Sequence, residues 1–319
     1  LITLSILFAI MFAAVLFALA YSSAEEKNKS KIKIDTDYKP LIVPNAHGVR
    51  KEKSSNTPVI LELKIFGPIG TDSLSNETVR QQLVESREGE LKGDRVKAIF
   101  LHINSPGGTV DDADGIYEAI LEYKHAYDVP VYAYLDGMCA SGGLYVSCAA
   151  DKVFSRNTSI VGSIGVLISP IFNVSQVMEK IGVNSLTLSA GIGKDSLNPF
   201  RPWKEGEQDN LKNIVDEYYQ KFVDIVARSR PEVDRTALIK QYGAHIFLAE
   251  EAAKIGLVDF PDSSRSEALI ALVEALGIED DEYQVITMQK KNWLQELITE
   301  KSSANYMSGH VQHHIDLGD

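Results

Sequence analysis

Apolar and polar positions along this chain switch repeatedly between a period of two and a period of about 3.6, and those switches mark out its elements. Pro58-Val-Ile-Leu-Glu-Leu-Lys-Ile-Phe66 reads as a strand closed by Gly67-Pro68. Asn76 to Glu88 carries Val79, Leu83 and Val84 at helical spacing. Val96 to Ile103 is apolar enough for a strand buried on both faces, and a glycine-containing turn leads from it into a helix over 110–127. Pro130 to Leu135 predicts another strand and Lys152 to Phe154 a short one. This alternation implies an α/β domain with a largely parallel sheet, whose chemistry gathers in loops at the carboxyl ends of the strands. Further on, the pattern predicts a helix over 177–181, a strand over 185–188 and a long amphipathic helix over 205–230 that Pro231 limits. Helical segments follow near 232–241, 249–255 and 264–276.

The ends of the chain read differently. Residues 1–20 contain no charge, a length that suits one membrane-spanning helix. Ala18-Leu19-Ala20 resembles a signal-peptide cleavage site, but the apolar run exceeds a signal core of about 7–15 residues, so an uncleaved anchor is preferred. Residues 21–57 are polar and weakly patterned, a linker; 58–288 form the domain, and 289–319 a loosely held tail. Lys27, Lys29, Lys31 and Lys33 follow the span, which by positive-inside counting would hold that side in the cytoplasm. Charge leaves the orientation open, and the expectation adopted is a single-pass membrane protein with its domain on the extracytoplasmic side. A net charge of −12 argues against a nucleic-acid surface. Cys139 and Cys148 form neither a disulfide framework nor a metal-ligand array, and are expected to pack as small apolar groups.

Two loops carry candidate chemistry. In Asn104-Ser105-Pro106-Gly107-Gly108 the glycines lack the Cβ that would block a substrate, so the N–H of Gly107 or Gly108 could face a carbonyl oxygen. A Pro-Gly turn is the equal alternative. In Asp136-Gly137-Met138-Cys139-Ala140-Ser141-Gly142-Gly143, Ser141 stands where a strand gives way to a helix, with backbone donors starting at Gly142 beside its hydroxyl. A nucleophilic serine needs a base. His102, His125 and His245 have no supporting local pattern, and His310, His313 and His314 lie in the tail. A desolvated lysine is another solution, because burial disfavours the ammonium form. Lys194 in Gly191-Ile192-Gly193-Lys194-Asp195 is the candidate, and Ser163 in Val161-Gly162-Ser163-Ile164-Gly165 could orient it; a buried turn is the equal reading for Ser163.

Taken together these stretches resemble the signal peptide peptidase A family, membrane-bound Ser/Lys peptidases of the S49 class. The resemblance runs over about 58–260 and rests on five motifs in order: the Asn-Ser-Pro-Gly-Gly loop, Ala-Ser-Gly-Gly, Gly-Ser-Ile-Gly-Val, Gly193-Lys194-Asp195, and Ala249 to Asp259. It implies the crotonase/Clp-protease fold of repeated β-β-α units behind an N-terminal membrane helix. It implies Ser141 as nucleophile, Lys194 as general base, Ser163 supporting the lysine, and Gly107 or Gly108 as oxyanion donor, with no metal or organic cofactor. It further implies a homo-oligomeric ring whose neighbours complete each site, signal-peptide remnants or other apolar membrane-proximal peptides as substrate, and, by analogy only, a stomatin-like membrane partner. Leu144 departs from an aromatic residue usual in the family, and Cys139 from a small one.

Two rivals follow from the same residues. An acyl-CoA hydratase or isomerase of the same broad fold also uses glycine-rich oxyanion loops, but the Ser/Lys pair and the N-terminal span count against it. A non-catalytic membrane scaffold that binds apolar peptides would keep the ring without turnover, and the presence of both Ser141 and Lys194 counts against that.

Overall fold

A computed structural model describes residues 36–54, 56–279 and 281–291; the expected anchor over 1–20 and the tail from 292 onward lie outside the described residues. A boundary between two units falls after Asp37, and the fold below is that of the second. Among the described residues no helix is long and apolar enough to cross a membrane.

Eight strands are formed: β1 (Tyr38–Val43), β2 (Val59–Phe66), β3 (Val96–Ser105), β4 (Val131–Ala140), β5 (Lys152–Ser155), β6 (Ile160–Gly162), β7 (Ile246–Leu248) and β8 (Gln284–Lys290). They make one sheet in the order β1-β8-β2-β3-β4-β6-β7, with β5 also paired to β4. The interior pairs are parallel, and the antiparallel pairs β1·β8 and β6·β7 close the two edges. Parallel strands covered on both faces read as continuous apolar runs, which is why β2 and β3 show so little alternation.

The helices are α1 (Asn76–Glu85), α2 (Val110–Tyr127), α3 (Gly142–Ser147), α4 (Ser175–Lys180), α5 (Asp209–Ser229), α6 (Arg235–Ala237), α7 (Ala249–Lys254) and α8 (Arg265–Ala275). On one face of the sheet Leu63, Ile65, Leu101 and Ile103 pack with Leu83 of α1, Ile116 and Ile120 of α2, and Phe222 and Val226 of α5. On the other, Ile60, Phe100 and Tyr134 pack with Leu269 and Leu272 of α8. Each such side chain stabilises the fold by about 1.5–3 kcal/mol relative to leaving it in water. Helix starts are set locally: Ser75 and Ser264 form capping boxes, and the Thr109 hydroxyl accepts from Asp112 N–H.

Part of the stretch expected as linker is in the sheet. β1 runs antiparallel to β8, Ile42 opposite Ile286, so the fold starts at residue 38 rather than 58, and β8 extends to Lys290. β1 is a short edge strand containing Pro40, and its partner lies more than two hundred residues away, so its local signal is weak. The strand expected over 185–188 does not form; that stretch is exposed. β4 continues through Ala140, beyond the expected end at Leu135.

The apolar pattern of the sheet is broken by Glu62, which is buried on β2. Arg265 of α8 reaches it at 2.7 Å and His102 of β3 at 2.9 Å. Burial alone would raise this carboxyl, but hydrogen bonds from His102 and Arg265 outweigh burial and hold it at about 2, against an ordinary 4.5. A depressed carboxyl stabilises the fold above its unfolded value and loses that contribution as pH falls through its folded one. Stability is therefore expected to drop by roughly 3 kcal/mol between pH about 4.5 and about 2 on account of Glu62. Urea titrations across that range should show a flatter acid limb in Glu62→Gln, and parallel limbs would show that Glu62 is not the group responsible.

Candidate active site

Ser141 ends β4 and precedes α3, with φ 52° and ψ −121°. Positive φ in a non-glycine residue costs about 1–3 kcal/mol and persists only where the surroundings enforce it. Here its N–H donates to Gly162 O at 2.9 Å and its C=O accepts from Tyr145 N–H at 2.9 Å, so both sides of the residue are fixed. The hydroxyl makes no capping hydrogen bond. It is left half-buried and available, while the residues on either side of it are buried.

The glycine loop meets this turn in close backbone contact. A Cβ on Gly107, at φ +96°, would lie 2.6 Å from Gly142 N and 2.7 Å from Ser141 Cβ. A Cβ on Gly108 would lie 1.8 Å from Ile69 O. Buried Ser105 braces the loop: its hydroxyl donates to Gly67 O at 2.7 Å and accepts the Gly107 N–H at 3.1 Å. That bond occupies Gly107. Ile69 donates to Gly107 O and accepts from Thr109 N–H, which turns the Gly108 N–H away from this bridge. Gly108 N lies 3.3 Å from where a Cβ on Gly142 would stand. Of the two expected oxyanion donors, the geometry therefore favours Gly108, alongside the first N–H of α3 at Gly142, which has no intrahelical partner.

Ser163 follows β6 as Ser141 follows β4. Ala140 and Gly162 are register partners in neighbouring parallel strands, so the two serines leave the sheet side by side. Ser163 also has positive φ, 58°, and its N–H donates to His245 O at 2.7 Å. The structure thus brings together Ser141, Gly142, Gly107, Gly108 and Ser163. Lys194 is exposed, and its ammonium makes no hydrogen bond or ion pair to these or any other described residues. Its loop is nonetheless ordered by Arg201, which pairs with Asp195 at 2.6 Å and Glu207 at 2.7 Å.

Among the histidines expected as rivals, His102 is buried between two carboxylates, His125 is exposed on α2, and His245 is exposed beside Ser163; His310, His313 and His314 lie outside the described residues. Burial pushes the Cys139 thiol far up and the Cys148 thiol to about 11, so both pack as inert apolar groups.

With this geometry in view, comparison with known proteins points the same way as the motifs. The profile of peptidase family S49 matches residues 124–277, just under half of the chain, which include Ser141, Ser163 and Lys194. Over that part the chain is similar to peptidase family S49. A Clp protease profile matches residues 62–184, in line with the Clp-protease-like mixed α/β sheet. A protein of Enterococcus faecium named signal peptide peptidase SppA is 32% identical over 213 residues, 65% of this chain and 61% of that one. A protease of Methanocaldococcus jannaschii is 38% identical over 168 residues, 53% of each chain. The chain thus spans little more than half the length of these relatives. A solved structure of a ClpP1 variant from Listeria monocytogenes aligns with TM-score 0.43 at 19% identity, covering 67% of this chain and 96% of that one.

Three contributors to this site were not visible from sequence. Ser105 was one letter of a motif, and only its burial shows it as the brace of the glycine loop. Gly162 acts through its carbonyl, which holds Ser141, and through the absence of a Cβ that would lie 2.5 Å from His245 O. His102 was weighed only as a base.

Proposed function

We propose that this chain is a serine endopeptidase in which Ser141 is the nucleophile and Lys194 the general base, the lysine arriving from a neighbouring copy. The observation that carries the reading is the placement of Ser141: a hydroxyl with no capping bond on an enforced positive-φ turn, in close backbone contact with the Gly107-Gly108 loop. Similarity to peptidase family S49 over residues 124–277 supports the same chemistry. Ser141 Oγ attacks the peptide carbonyl carbon as its proton passes to the neutral Lys194 amine. The N–H groups of Gly108 and Gly142 stabilise the oxyanion. Collapse breaks the C–N bond, and the leaving amine takes the proton back from Lys194. Water then attacks the ester carbonyl, giving a proton to the Lys194 amine; the acyl C–Oγ bond breaks, Lys194 returns that proton to Ser141 Oγ, and the acid product leaves. Ser163 Oγ, beside Ser141, is placed to accept a hydrogen bond from the Lys194 nitrogen and orient it.

Two observations support a neighbour. Lys194 is exposed with no partner for its ammonium among the described residues, and it sits in a stretch dense with exposed apolar side chains. Leu167, Phe172, Leu186, Leu188 and Ile192 are each at least 75% exposed, far beyond what a free surface tolerates over one continuous segment. A second copy covering this segment would bury it and desolvate the lysine, as a neutral amine requires. The substrate proposed is an extended apolar peptide such as a signal-peptide remnant, with the chain held at the membrane by residues 1–20 and its domain on the extracytoplasmic side. A membrane protein of stomatin type remains a partner proposed by analogy alone.

Intact-mass analysis after treatment with a fluorophosphonate tests the nucleophile. One adduct on the wild type, absent from Ser141→Ala and Lys194→Ala while the assembly persists, is the expected result. An assembled wild type that takes up no label would point instead to a scaffold or to acyl-CoA chemistry, and coenzyme-A binding would separate those two.

A further inference from the structure

Beneath the turn that carries Ser141 lies a charged cluster that the peptidase chemistry does not use. His102 of β3 stands between two carboxylates, with Nδ1 2.9 Å from Glu62 Oε1 of β2 and Nε2 3.1 Å from Asp136 Oδ2 of β4. An ionised carboxylate only accepts, so filling both contacts at once requires both ring nitrogens to donate, as they do in an imidazolium. The surrounding groups fit that charge. Arg265 of α8 shares Glu62, and Arg156, after β5, takes the other oxygen of Asp136 at 2.6 Å. The rings of Phe66 and Tyr134 flank the imidazole at 4.8 and 5.5 Å. Lys64, in register with His102 on β2, shares the face but is exposed.

Asp136 is where β4 changes partner. Up to Leu135 the strand pairs with β5, and from Met138 it pairs with β6. Between them Gly137 takes φ +110°, a conformation only glycine adopts freely, and the register with β3 slips. Four ties hold this bend: Asp136 to His102 and to Arg156, Gly137 N–H to Ser159 Oγ at 3.1 Å, and Met138 N–H to Asn104 Oδ1 at 3.1 Å. Only Met138, Cys139 and Ala140 separate the bend from Ser141. The direction of the last strand segment, and so the position of Ser141 against Gly108, is set there. A neutral imidazole has one N–H and can satisfy only one of the two carboxylates.

We propose that His102 is a positioning residue: its imidazolium, bridging Glu62 and Asp136, pins the bend in β4 that sets Ser141 opposite Gly108. This rests on the serine-peptidase reading. It makes Ser141 reactivity depend on a proton held by a residue that touches neither substrate nor nucleophile.

The test follows the histidine ring nitrogens of the full chain by NMR across pH, with His102 assigned by its absence in His102→Gln. Over the same range kcat and KM for an apolar peptide, and amide exchange at Gly137 and Met138, are measured. The expected result is an imidazolium wherever the enzyme is active. As its second proton leaves, kcat should fall about tenfold with KM held within about twofold, and Gly137 and Met138 should lose protection. That alkaline limb should be missing from His102→Gln, whose kcat should be about tenfold lower throughout. A neutral ring throughout the active range, or a His102→Gln profile of wild-type shape and height, would overturn the proposal. If His102→Gln does not fold, His102 is assigned in Asp136→Asn and the wild-type measurements decide alone. If the wild type cleaves nothing, the peptidase reading has failed, and amide exchange decides the clamp: protection unchanged across the His102 titration would sink it.

Discussion

Mixing Ser141→Ala chains with Lys194→Ala chains is expected to restore peptide cleavage that neither variant shows alone. Each substitution by itself should lower kcat by at least about 1,000-fold, because nucleophile and base act as one unit and removal of either leaves only binding and oxyanion stabilisation. In a mixed assembly formed by unfolding and refolding together, some sites pair an intact Ser141 from one chain with an intact Lys194 from its neighbour. For equal amounts assembled at random that is roughly a quarter of all sites, so activity should return to about a quarter of wild type. The expectation rests on an ordered but exposed Lys194 loop whose ammonium makes no hydrogen bond to Ser141 in its own chain. A mixture that stays inactive while its subunits demonstrably exchange would place the lysine within one chain or remove it from the mechanism.

Gly108→Ala is expected to have the largest effect on the scaffold of the site. The added Cβ would stand 1.8 Å from Ile69 O, inside a backbone bridge on a fully ordered sheet edge, and no side-chain movement can relieve a clash between backbone atoms. Either the 105–108 loop shifts away from Ile69 or the bridge opens. Overpacking of this kind costs about 3 kcal/mol. Loss of an oxyanion donor lowers kcat about 100-fold or more, so both urea stability and the rate of Ser141 phosphonylation should fall. Gly107→Ala forms a useful comparison, because its Cβ meets Gly142 N and Ser141 Cβ and so disturbs the turn itself. A Gly108→Ala chain with wild-type stability and labelling would show that the loop is not held where the structure places it.

Both results concern contacts between residues far apart in the chain, and that is where sequence reading reached its limit. The strands β2 and β3, the helices α1, α2 and α8 and the two chemical loops were legible because each is announced within about ten residues by periodicity, a cap or a glycine pair. β1 lies in the stretch that reads as linker, and β6, β7 and β8 are not distinguished, since strands of three to seven residues have little local pattern and exist only through their partners. The strand expected over 185–188 failed for the opposite reason: Leu186 and Leu188 have the alternation of a strand but no neighbour in this chain to pair with.

Taken alone, the sequence determined the class of fold, the two loops that carry Ser141 and the glycines, and the resemblance to the S49 family, because these depend on residue types in short stretches and on their order. Tertiary structure alone decided that Gly108 rather than Gly107 has the free N–H, since Ser105 captures the other. It also decided that Ser163 stands beside Ser141, through the pairing of Ala140 with Gly162. Only the folded sheet shows that both ring nitrogens of His102 are engaged, one by Glu62 and one by Asp136. The physical reason is common to all three: a hydrogen bond depends on direction and on distances of about 3 Å, and neither is written in a chain until packing has brought its distant segments together.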